Sequence, residues 1–411
     1  MQKILYFINT QHNIPPFLFN EILAASSFFD KIILISPIFD KKRCTNLPSN
    51  VLIKSTCRLF YYFSLFGGFI FNLNKIARDD WRYAKGMKKA SFNYFLMRVK
   101  HASIALFLRK RLDKAIKRHG SGPVISSWLD SGSLAVALSK NHKTFISCSF
   151  CHSFEVDQTK NRYVGLLFTN FVINRLGHVV FISENVMNGF IHFALENKIS
   201  YSCSFLVRKL GIRHEMVHDC SLAPHTGTNI ISCSTLTAVK RIDLIIEVLK
   251  NVTDNINWTH IGSGPLEDEI KKQARSLPNN INFNFLGHLE NEKVLSYYQI
   301  NAKNIDLFIN LSSVEGIPVS IMEAMSYGIP CIATNVGGTN ELVNNSNGFL
   351  IDNNDVINKT IFSIKKYITS DKITVEKLRK SAQEKIKKEF ILKNNTNRFY
   401  KKLIKDAFNS N

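Results

Sequence analysis

Several features are missing from this chain of 411 residues, and each absence excludes a class of protein. No apolar run approaches the roughly 20 residues that a membrane-spanning helix needs. The eight cysteines have no regular spacing, which favours buried thiols in a reducing compartment over a disulfide framework. The N-terminal apolar stretch is about five residues long, shorter than the core of a secretory signal. It instead predicts a first β-strand at Ile4–Ile8, in a protein that we expect to be cytoplasmic.

Acidic residues are scarce, with 32 Asp and Glu against 53 Lys and Arg and a formal net charge of +21. Such a charge suggests nucleic acid or an anionic membrane surface as partner. Residues 75–118 hold fourteen basic residues against three Asp, interleaved with aromatic residues, and follow an apolar stretch at 59–71. We expect this region to contact anionic lipid from the cytoplasmic side; a helix with a buried aromatic face and a solvated basic face is the open alternative. No nucleic-acid-binding motif accompanies the charge, so no nucleic acid partner is expected.

Short apolar runs alternate along the chain with helical patterns, as is typical of α/β proteins with parallel sheets. Strands are predicted at Ile4–Ile8, 31–36, 124–128, 144–150, 179–183, 229–233, 258–261, 281–286 and 305–310. Helices are predicted at 17–28, 133–139 and 241–250, and one basic helix from 385 to the end. The length fits two domains of about 200 residues each.

The most informative stretch is residues 315–341, EGIPVSIMEAMSYGIPCIATNVGGTNE, which predicts a turn, a helix and a following strand. Pro318 fits the first helical position, and Gly328 fits a left-handed position after the helix. Glu315 and Gly316 therefore lie where the carboxyl end of a strand meets a helix N-terminus, the usual ligand crevice of an open α/β sheet.

The free N–H groups of that helix N-terminus favour an anion such as a pyrophosphate. Glu315 and Glu323 flank the anion position, where they are suited to accept hydrogen bonds from hydroxyl groups on either side. Taken with the surrounding Gly and Pro residues, the spacing resembles the E-x7-E motif of retaining GT-B glycosyltransferases of group 1, also called family 4.

This resemblance implies two Rossmann-like domains with parallel sheets that face a central cleft. Residues 1–212 would form the acceptor-binding domain and 213–387 the nucleotide-sugar-binding domain, and residues 388–411 a helix that crosses back to the first domain. The implied reaction is the transfer of a hexose from a nucleoside diphosphate sugar to an acceptor hydroxyl, with retention of the anomeric configuration.

The resemblance also assigns catalytic roles. Glu315 would hold hydroxyls of the donor sugar, Glu323 the ribose, and Lys240 the leaving pyrophosphate. Lys240 keeps the place of a cation in the family's G-R-L…K pattern, although Ser234-Thr235 replaces Gly-Arg; Arg241 could compensate.

His152 opens the sequence HSFE, which resembles the family's H-G-x-D with Ser153 and Glu155 as replacements. It would contact the donor sugar, whereas the alternative is a core histidine hydrogen-bonded within the domain. The remaining donor-binding predictions are Thr235, Arg241, Gly262 of a G-S-G-P turn, His288 beside the nucleobase, Gly316, Ile317, Pro318 and Val319.

No two Asp residues are separated by a single residue, which fits a reaction without a metal ion or other cofactor, in which protein cations compensate the phosphate charge. A UDP-sugar is the favoured donor. A glycan or lipid-linked acceptor, as in lipopolysaccharide or capsule assembly, is expected from the basic first half. Two rivals stay open: a GT-B nucleotide-sugar epimerase, and a catalytically silent partner that binds nucleotide sugar or membrane.

Overall fold

The computed structural model describes residues 2–11, 14, 16–38, 47–56, 65–156, 163, 165, 167–213 and 221–408. The predictions on the first part of the apolar stretch, 59–64, and on the middle of the interdomain linker, 214–220, lie outside the described residues. The chain forms two compact units, one built from the residues up to Arg208 and those from Lys393 onward, the other from Lys209–Leu392.

The first unit contains a sheet of seven parallel strands in the order β3-β2-β1-β4-β5-β6-β7. The strands are β1 (Ile4–Ile8), β2 (Lys31–Ile38), β3 (Val51–Thr56), β4 (Val124–Ser126), β5 (Ser147–Cys151), β6 (His178–Phe181) and β7 (Ser204–Val207). The helices are α1 (Pro16–Ala25), α2 (Leu65–Phe71), α3 (Lys75–Gly86), α4 (Phe92–His119), α5 (Ser131–Ala137), α6 (Ser153–Val156), α7 (Thr169–Ile173), α8 (Glu184–Glu196) and, near the chain end, α16 (Leu392–Phe408). Every residue of β1 is buried, as expected for a strand covered on both faces.

The second unit contains six parallel strands in the order β10-β9-β8-β11-β12-β13. The strands are β8 (Thr228–Cys233), β9 (Ile256–Ile261), β10 (Ile281–Phe285), β11 (Leu307–Asn310), β12 (Cys331–Thr334) and β13 (Gly348–Ile351). The helices are α9 (Ile242–Lys250), α10 (Glu267–Ala274), α11 (Asn291–Asn301), α12 (Val319–Ser326), α13 (Thr339–Leu342), α14 (Val356–Ile368) and α15 (Lys372–Glu389). The predicted α/β class with two parallel-sheet domains is confirmed.

A buried ion pair ties α16 into the first unit. Arg208 donates to Glu21 of α1 at 2.5 Å, and the two side chains are only 6% and 4% exposed. Tyr400 of α16 donates a hydrogen bond from its hydroxyl group to the other carboxylate oxygen of Glu21. Phe399 and Leu403 pack in the same hydrophobic core as the central strands, so the chain end is part of this domain's interior.

The prediction of one continuous helix from residue 385 onward is wrong. α15 ends at Glu389, and Ile391 forms a parallel bridge with Ile212. Gly211 permits this approach, because a Cβ atom there would lie 2.7 Å from the carbonyl oxygen of Phe390. The bridge requires extended backbone at Ile391, and a new helix starts only at Leu392.

No helix in the described parts of the chain combines the length and the apolar character that crossing a bilayer would require.

Candidate functional site

The turn between β11 and α12 builds the base of the site. β11 ends at Asn310, and α12 begins at Val319, with Pro318 as an extended N-cap residue. The prediction that Pro318 is the first helical residue is therefore wrong by one position, whereas the left-handed Gly328 after the helix is confirmed with a φ of +74°. The first N–H groups of a helix have no partner within it, so hydrogen-bond donors lie at the end of the turn that carries Glu315.

A second glycine turn holds the first in place. Gly337 has a φ of +56°, and a Cβ atom there would overlap the carbonyl oxygen of Glu315. Gly338 N–H donates to the carbonyl oxygen of Gly316 at 2.6 Å. The Glu315–Gly316 backbone is thus fixed by a close approach that only glycine at position 337 allows.

Lys240 and Glu315 form the charged centre of the site. Lys240 ends a short 3-10 helix (Ala238–Lys240) after β8, and its Nζ lies 2.6 Å from Oε1 of Glu315. The side chains of Lys240 and Glu315 are 25% and 10% exposed. Asn310 Nδ2 also donates to Oε1 of Glu315, at 3.3 Å. The sequence analysis missed Asn310, although a polar residue at the end of an apolar strand was a usable signal.

A cavity of about 460 Å³ lies beside this pair, at the carboxyl ends of β8 and β9. Nine of the twelve predicted site residues line it: Thr235, Lys240, Gly262, His288, Glu315, Ile317, Pro318, Val319 and Glu323. The other lining residues are Cys233, Ser234, Ile261, Ser263, Leu289, Asn291, Val294 and Ser320. The structure therefore brings most of the predicted donor site together in one concave surface.

Glu323 enters the cavity from α12 and is buried. Asn291 at the start of α11 donates from Nδ2 to Oε1 of Glu323 at 2.7 Å. Burial raises the pKa of Glu323, and the hydrogen bond from Asn291 partly opposes that rise. Asn291 thus orients the carboxylate and favours its charged form, a role that nothing in the sequence indicated.

Gly262 forms the wall opposite the helix N-terminus by backbone alone. Its φ of +142° lies outside the range of other residues, and a Cβ atom would overlap the carbonyl oxygen of Ser234. Its N–H donates to the carbonyl oxygen of Gly287 at 2.8 Å. The turns after β9 and β10 are therefore joined, which places His288 at the cavity.

Thr235 and His288 are exposed members of the lining, as are Asn291 and Val319. Nε2 of His288 lies 3.4 Å from Oε1 of Glu290, and Thr235 holds the turn after β8 by accepting from Thr237 N–H at 3.0 Å. Their roles as donor ligands stay predictions.

The structure places Arg241 outside the cavity lining. Its backbone is left-handed with a φ of +48°, and its guanidinium donates to the carbonyl oxygens of Leu311 and Ser312 at 2.5 and 3.1 Å. Arg241 therefore supports the loop that leads to Glu315, and its predicted contact with the donor has no geometric support here.

His152 lies in the first unit, directly after β5. Its Nε2 lies 3.2 Å from the carbonyl oxygen of Ser127, and its ring packs 4.3 Å from the ring of Trp128. Burial lowers the pKa of His152 to about 4, so the imidazole is neutral at pH 7. The predicted contact with a donor sugar stays a prediction.

A buried carboxyl group, Glu155, lies beside His152, and the partly buried Asp130 interacts with Glu155. Glu155 accepts hydrogen bonds from the backbone N–H groups of His152 and Leu129, at 3.0 and 3.2 Å. Asp130 caps α5 and accepts from Thr10 Oγ1 at 2.6 Å. Burial raises the pKa of Glu155 to about 8 and that of Asp130 to about 6. Glu155 thus shapes the backbone around His152 in spite of its departure from the family pattern.

The described residues contain no group of three or more His, Cys, Asp or Glu side chains that could hold a metal ion. Cys148 and Cys151 are buried free thiols of β5.

Comparison with known proteins identifies the second unit. Residues 218–389 match the family of glycosyl transferases group 1. The chain therefore contains a group 1 glycosyltransferase domain, and the cavity lies within the matched range. Further parts of the predicted family assignment, the retaining mechanism and family 4, remain proposals.

The chain is similar to the Escherichia coli UDP-Gal:alpha-D-GlcNAc-diphosphoundecaprenol alpha-1,3-galactosyltransferase, with 35% identity over 101 residues. That match covers 23% of this chain and 24% of the relative. Other relatives are likewise matched over only about a third of their length.

Solved structures match over the whole chain. The apo form of the lipopolysaccharide outer core galactosyltransferase WaaB aligns with a TM-score of 0.66 and 15% identity, covering 97% of this chain and 98% of that one. Anabaena Alr3699/HepE in complex with UDP and glucose aligns with a TM-score of 0.64 and 16% identity, covering 98% and 99%. The fold is the GT-B fold, as predicted.

Proposed function

We propose that this protein is a retaining glycosyltransferase that transfers a hexose from a nucleoside diphosphate sugar to an acceptor hydroxyl. The observation that carries the proposal is the 2.6 Å pair of Lys240 and Glu315 on a cavity at the carboxyl edge of the second sheet. A cation, a carboxylate and a helix N-terminus at one edge suit a ligand with both phosphate and hydroxyl groups.

Lys240 is the group that would compensate the leaving diphosphate. During transfer, the bond between the anomeric carbon and the phosphate oxygen breaks, and negative charge grows on the diphosphate. An ammonium group and free helix N–H groups already in position stabilise such charge without reorganisation. This arrangement allows the reaction to proceed without a metal ion.

The two glutamates would hold the hydroxyl groups of the donor. Glu315 would release Lys240 to the phosphates and accept hydrogen bonds from sugar hydroxyls, while Asn310 retains its carboxylate. Glu323, held by Asn291, would accept from the ribose. Backbone at Gly262, Gly316 and the start of α12 would line the diphosphate. His152 of the first domain would contact the sugar.

UDP-sugars are the proposed donors, because UDP is bound in the similar Anabaena Alr3699/HepE structure. The proposed acceptor is a glycan or lipid-linked glycan of surface-polysaccharide assembly, in keeping with the names of the relatives. We propose a cytoplasmic protein that is peripheral at the inner face of the membrane, attached through the basic and aromatic region 75–118.

The proposal is tested first by melting the protein with each nucleoside diphosphate and its sugars. A ligand that binds only the folded state must raise the melting temperature. We expect UDP to stabilise the wild type and Lys250→Ala, a Lys exchange on the outside of α9, but not Lys240→Ala. The absence of any shift in the wild type would favour a catalytically silent partner.

Product analysis then separates transfer from epimerisation. Release of UDP only in the presence of acceptor indicates transfer, whereas conversion of the donor sugar without acceptor indicates an epimerase. The anomeric coupling constant of the product, measured by NMR, tests retention. Activity that persists in excess EDTA tests the independence from metal.

A further inference from the structure

Helices α2 and α4 of the first domain pack at close range. A Cβ atom at Gly68 would overlap the carbonyl oxygen of Val99 and the hydroxyl group of Ser103. Asn72, just after α2, accepts a hydrogen bond from Nε of the buried Arg98 at 2.9 Å. The rings of Phe69 and Phe95 lie 6.3 Å apart. The two helices therefore pack as one fixed pair.

The exposed surface of this helix pair carries several large apolar side chains. Six large hydrophobic side chains on it are between 37% and 77% exposed: Phe69, Ile70, Leu73, Phe92, Leu96 and Met97. Phe69 and Leu73 are four residues apart, as are Phe92 and Leu96, which places each pair on one side of its segment. We call these six residues the apolar ridge. Single exposed hydrophobic residues are ordinary on protein surfaces, but a group of six on one pair of helices marks an interaction surface.

Cations follow the apolar ridge directly. α3 carries four exposed basic residues, Lys75, Arg78, Arg82 and Lys85, and Lys88 is exposed in the turn after it. α3 contains two acids. Asp79 is exposed and pairs with Arg82 at 3.0 Å, which offsets one of these charges, whereas Asp80 is turned inward to Tyr94 and Arg98. The exposed surface of α3 therefore keeps an excess of cations.

We propose that the apolar ridge inserts into the interfacial layer of an anionic bilayer while the cations of α3 contact the lipid phosphates. This inference rests on the membrane location proposed above and names the side chains that would attach the protein to the membrane. Exposed apolar side chains beside an excess of cations are what an anionic lipid surface complements. A soluble protein partner or a second copy of the chain is the competing occupant.

The test compares two matched pairs of exposed residues in the full chain. Ile70→Asn with Leu73→Asn removes the centre of the apolar ridge. Ile300→Asn with Leu195→Asn removes equally exposed side chains from α11 and α8; these four residues are 69% to 77% exposed. Because all four side chains are exposed, neither double variant is expected to change the melting temperature.

Binding is measured by flotation with phosphatidylcholine vesicles, with and without phosphatidylglycerol. We expect the wild type and the control variant to bind the anionic vesicles, and the apolar ridge variant to bind at least tenfold more weakly. Binding by the apolar ridge should also resist added salt, because insertion, unlike charge attraction, is not screened.

Other outcomes contradict the proposal in distinguishable ways. Equal binding of all three proteins would mean that charge alone holds the protein at the membrane. It would contradict the proposed insertion of the apolar ridge. If the wild type does not bind vesicles, both the membrane location and the role of the apolar ridge are wrong. The UDP melting experiment would still decide the enzymatic proposal. A wild-type dimer in solution that the apolar ridge variant converts to monomer, without vesicle binding, would assign the surface to self-association.

Discussion

Two short carboxylate–cation pairs, one in each domain, have opposite surroundings. Glu21 and Arg208 of the first domain lie 2.5 Å apart and are almost fully buried, with Tyr400 as a third partner. Glu315 and Lys240 of the second domain lie 2.6 Å apart but line a cavity. The first pair joins three elements of a domain core, whereas the second can exchange its partner for a ligand.

The difference shows that contact distance does not reveal what an ion pair does. A buried pair costs desolvation and contributes mainly by preventing an uncompensated charge. A pair at a cavity holds two charges near the position of a ligand at little cost in reorganisation. A variant of the buried pair should therefore lower stability, and a variant of the cavity pair should lower activity.

Lys240→Ala is expected to produce the largest effect. Removal of the cation that compensates the leaving diphosphate should lower the transfer rate by about 10²–10³-fold, as for other preorganised electrostatic groups. The melting temperature should change little, because Lys240 is partly exposed. Steady-state kinetics with a UDP-sugar measures the loss, and Lys250→Ala serves as control. Transfer at the wild-type rate would remove Lys240 from the mechanism.

Glu21→Ala should act on stability. It leaves the buried Arg208 without its carboxylate, which typically costs about 3–5 kcal/mol. Urea unfolding should show this loss in the first domain, with UDP binding by the second domain retained. The control Glu247→Ala removes the partner of Lys250 in an exposed pair and should cost less than about 1 kcal/mol. If Glu21→Ala changes the free energy of unfolding only slightly, the buried pair has no special role in stability and the contrast with the cavity pair is wrong.

The residues predicted from sequence are those that local backbone rules place. Glu315, Gly316, Pro318 and Gly328 belong to one turn and one helix, so their positions follow from chain stereochemistry over a few residues. The two domains with parallel sheets follow from the alternation of elements, whereas the order of the strands was not predicted.

The misses depend on distant contacts. Asn291 reaches Glu323 across 32 positions of the chain. The break at Ile391 depends on its bridge to Ile212. Arg241 donates to the carbonyl oxygens of Leu311 and Ser312, 70 and 71 positions along the chain, contacts that sequence spacing does not indicate. Its contact with the donor stays a prediction. The sequence predicted that the region of the apolar ridge contacts anionic lipid, which stays a prediction. It did not indicate which apolar side chains are exposed, since exposure is a property of the packed domain.

Asn291→Ala should weaken UDP binding in a pH-dependent way. Without the hydrogen bond from Asn291, which lowers it, the already raised pKa of Glu323 rises further, and the charged form of the carboxyl is less favoured. Cys233, Tyr298 and Tyr327 also face this carboxyl, and none of them adds positive charge. Affinity should therefore recover over the pH range in which rising pH returns this carboxyl to its charged form.

Calorimetric titration of UDP across this range measures the recovery. Asn301→Ala is the control, since Asn301 ends the same helix and donates to the Tyr297 carbonyl oxygen. A loss of affinity that does not vary with pH would mean that Asn291 supports the cavity by shape alone.

The smallest expected effect concerns the pH dependence of stability. Burial lowers the pKa of His225, but its hydrogen bonds with Asp306, at 2.7 Å, and with the Ala223 carbonyl oxygen outweigh this, so that the pKa is raised above 6.5. The folded second domain then binds its proton more tightly than the unfolded chain. The stabilisation is complete below pH 6.5 and is lost as the pH rises through the folded pKa.

His152 of the first domain responds with the opposite sign, because burial lowers its pKa to about 4 and folding then opposes protonation. Between pH 6.5 and about 4, acid should therefore weaken the contribution of His152 to the first domain. Glu155, whose pKa burial raises to about 8, acts with the opposite sign over this range, and the His225 contribution persists in the second domain. His225→Gln should cost less than about 1 kcal/mol below neutral pH, since His225 is partly exposed, and nothing above the folded pKa. Urea unfolding with a probe in each domain measures how the free energy of unfolding of that domain changes with pH. An equal change with acid in the two domains would remove this contrast.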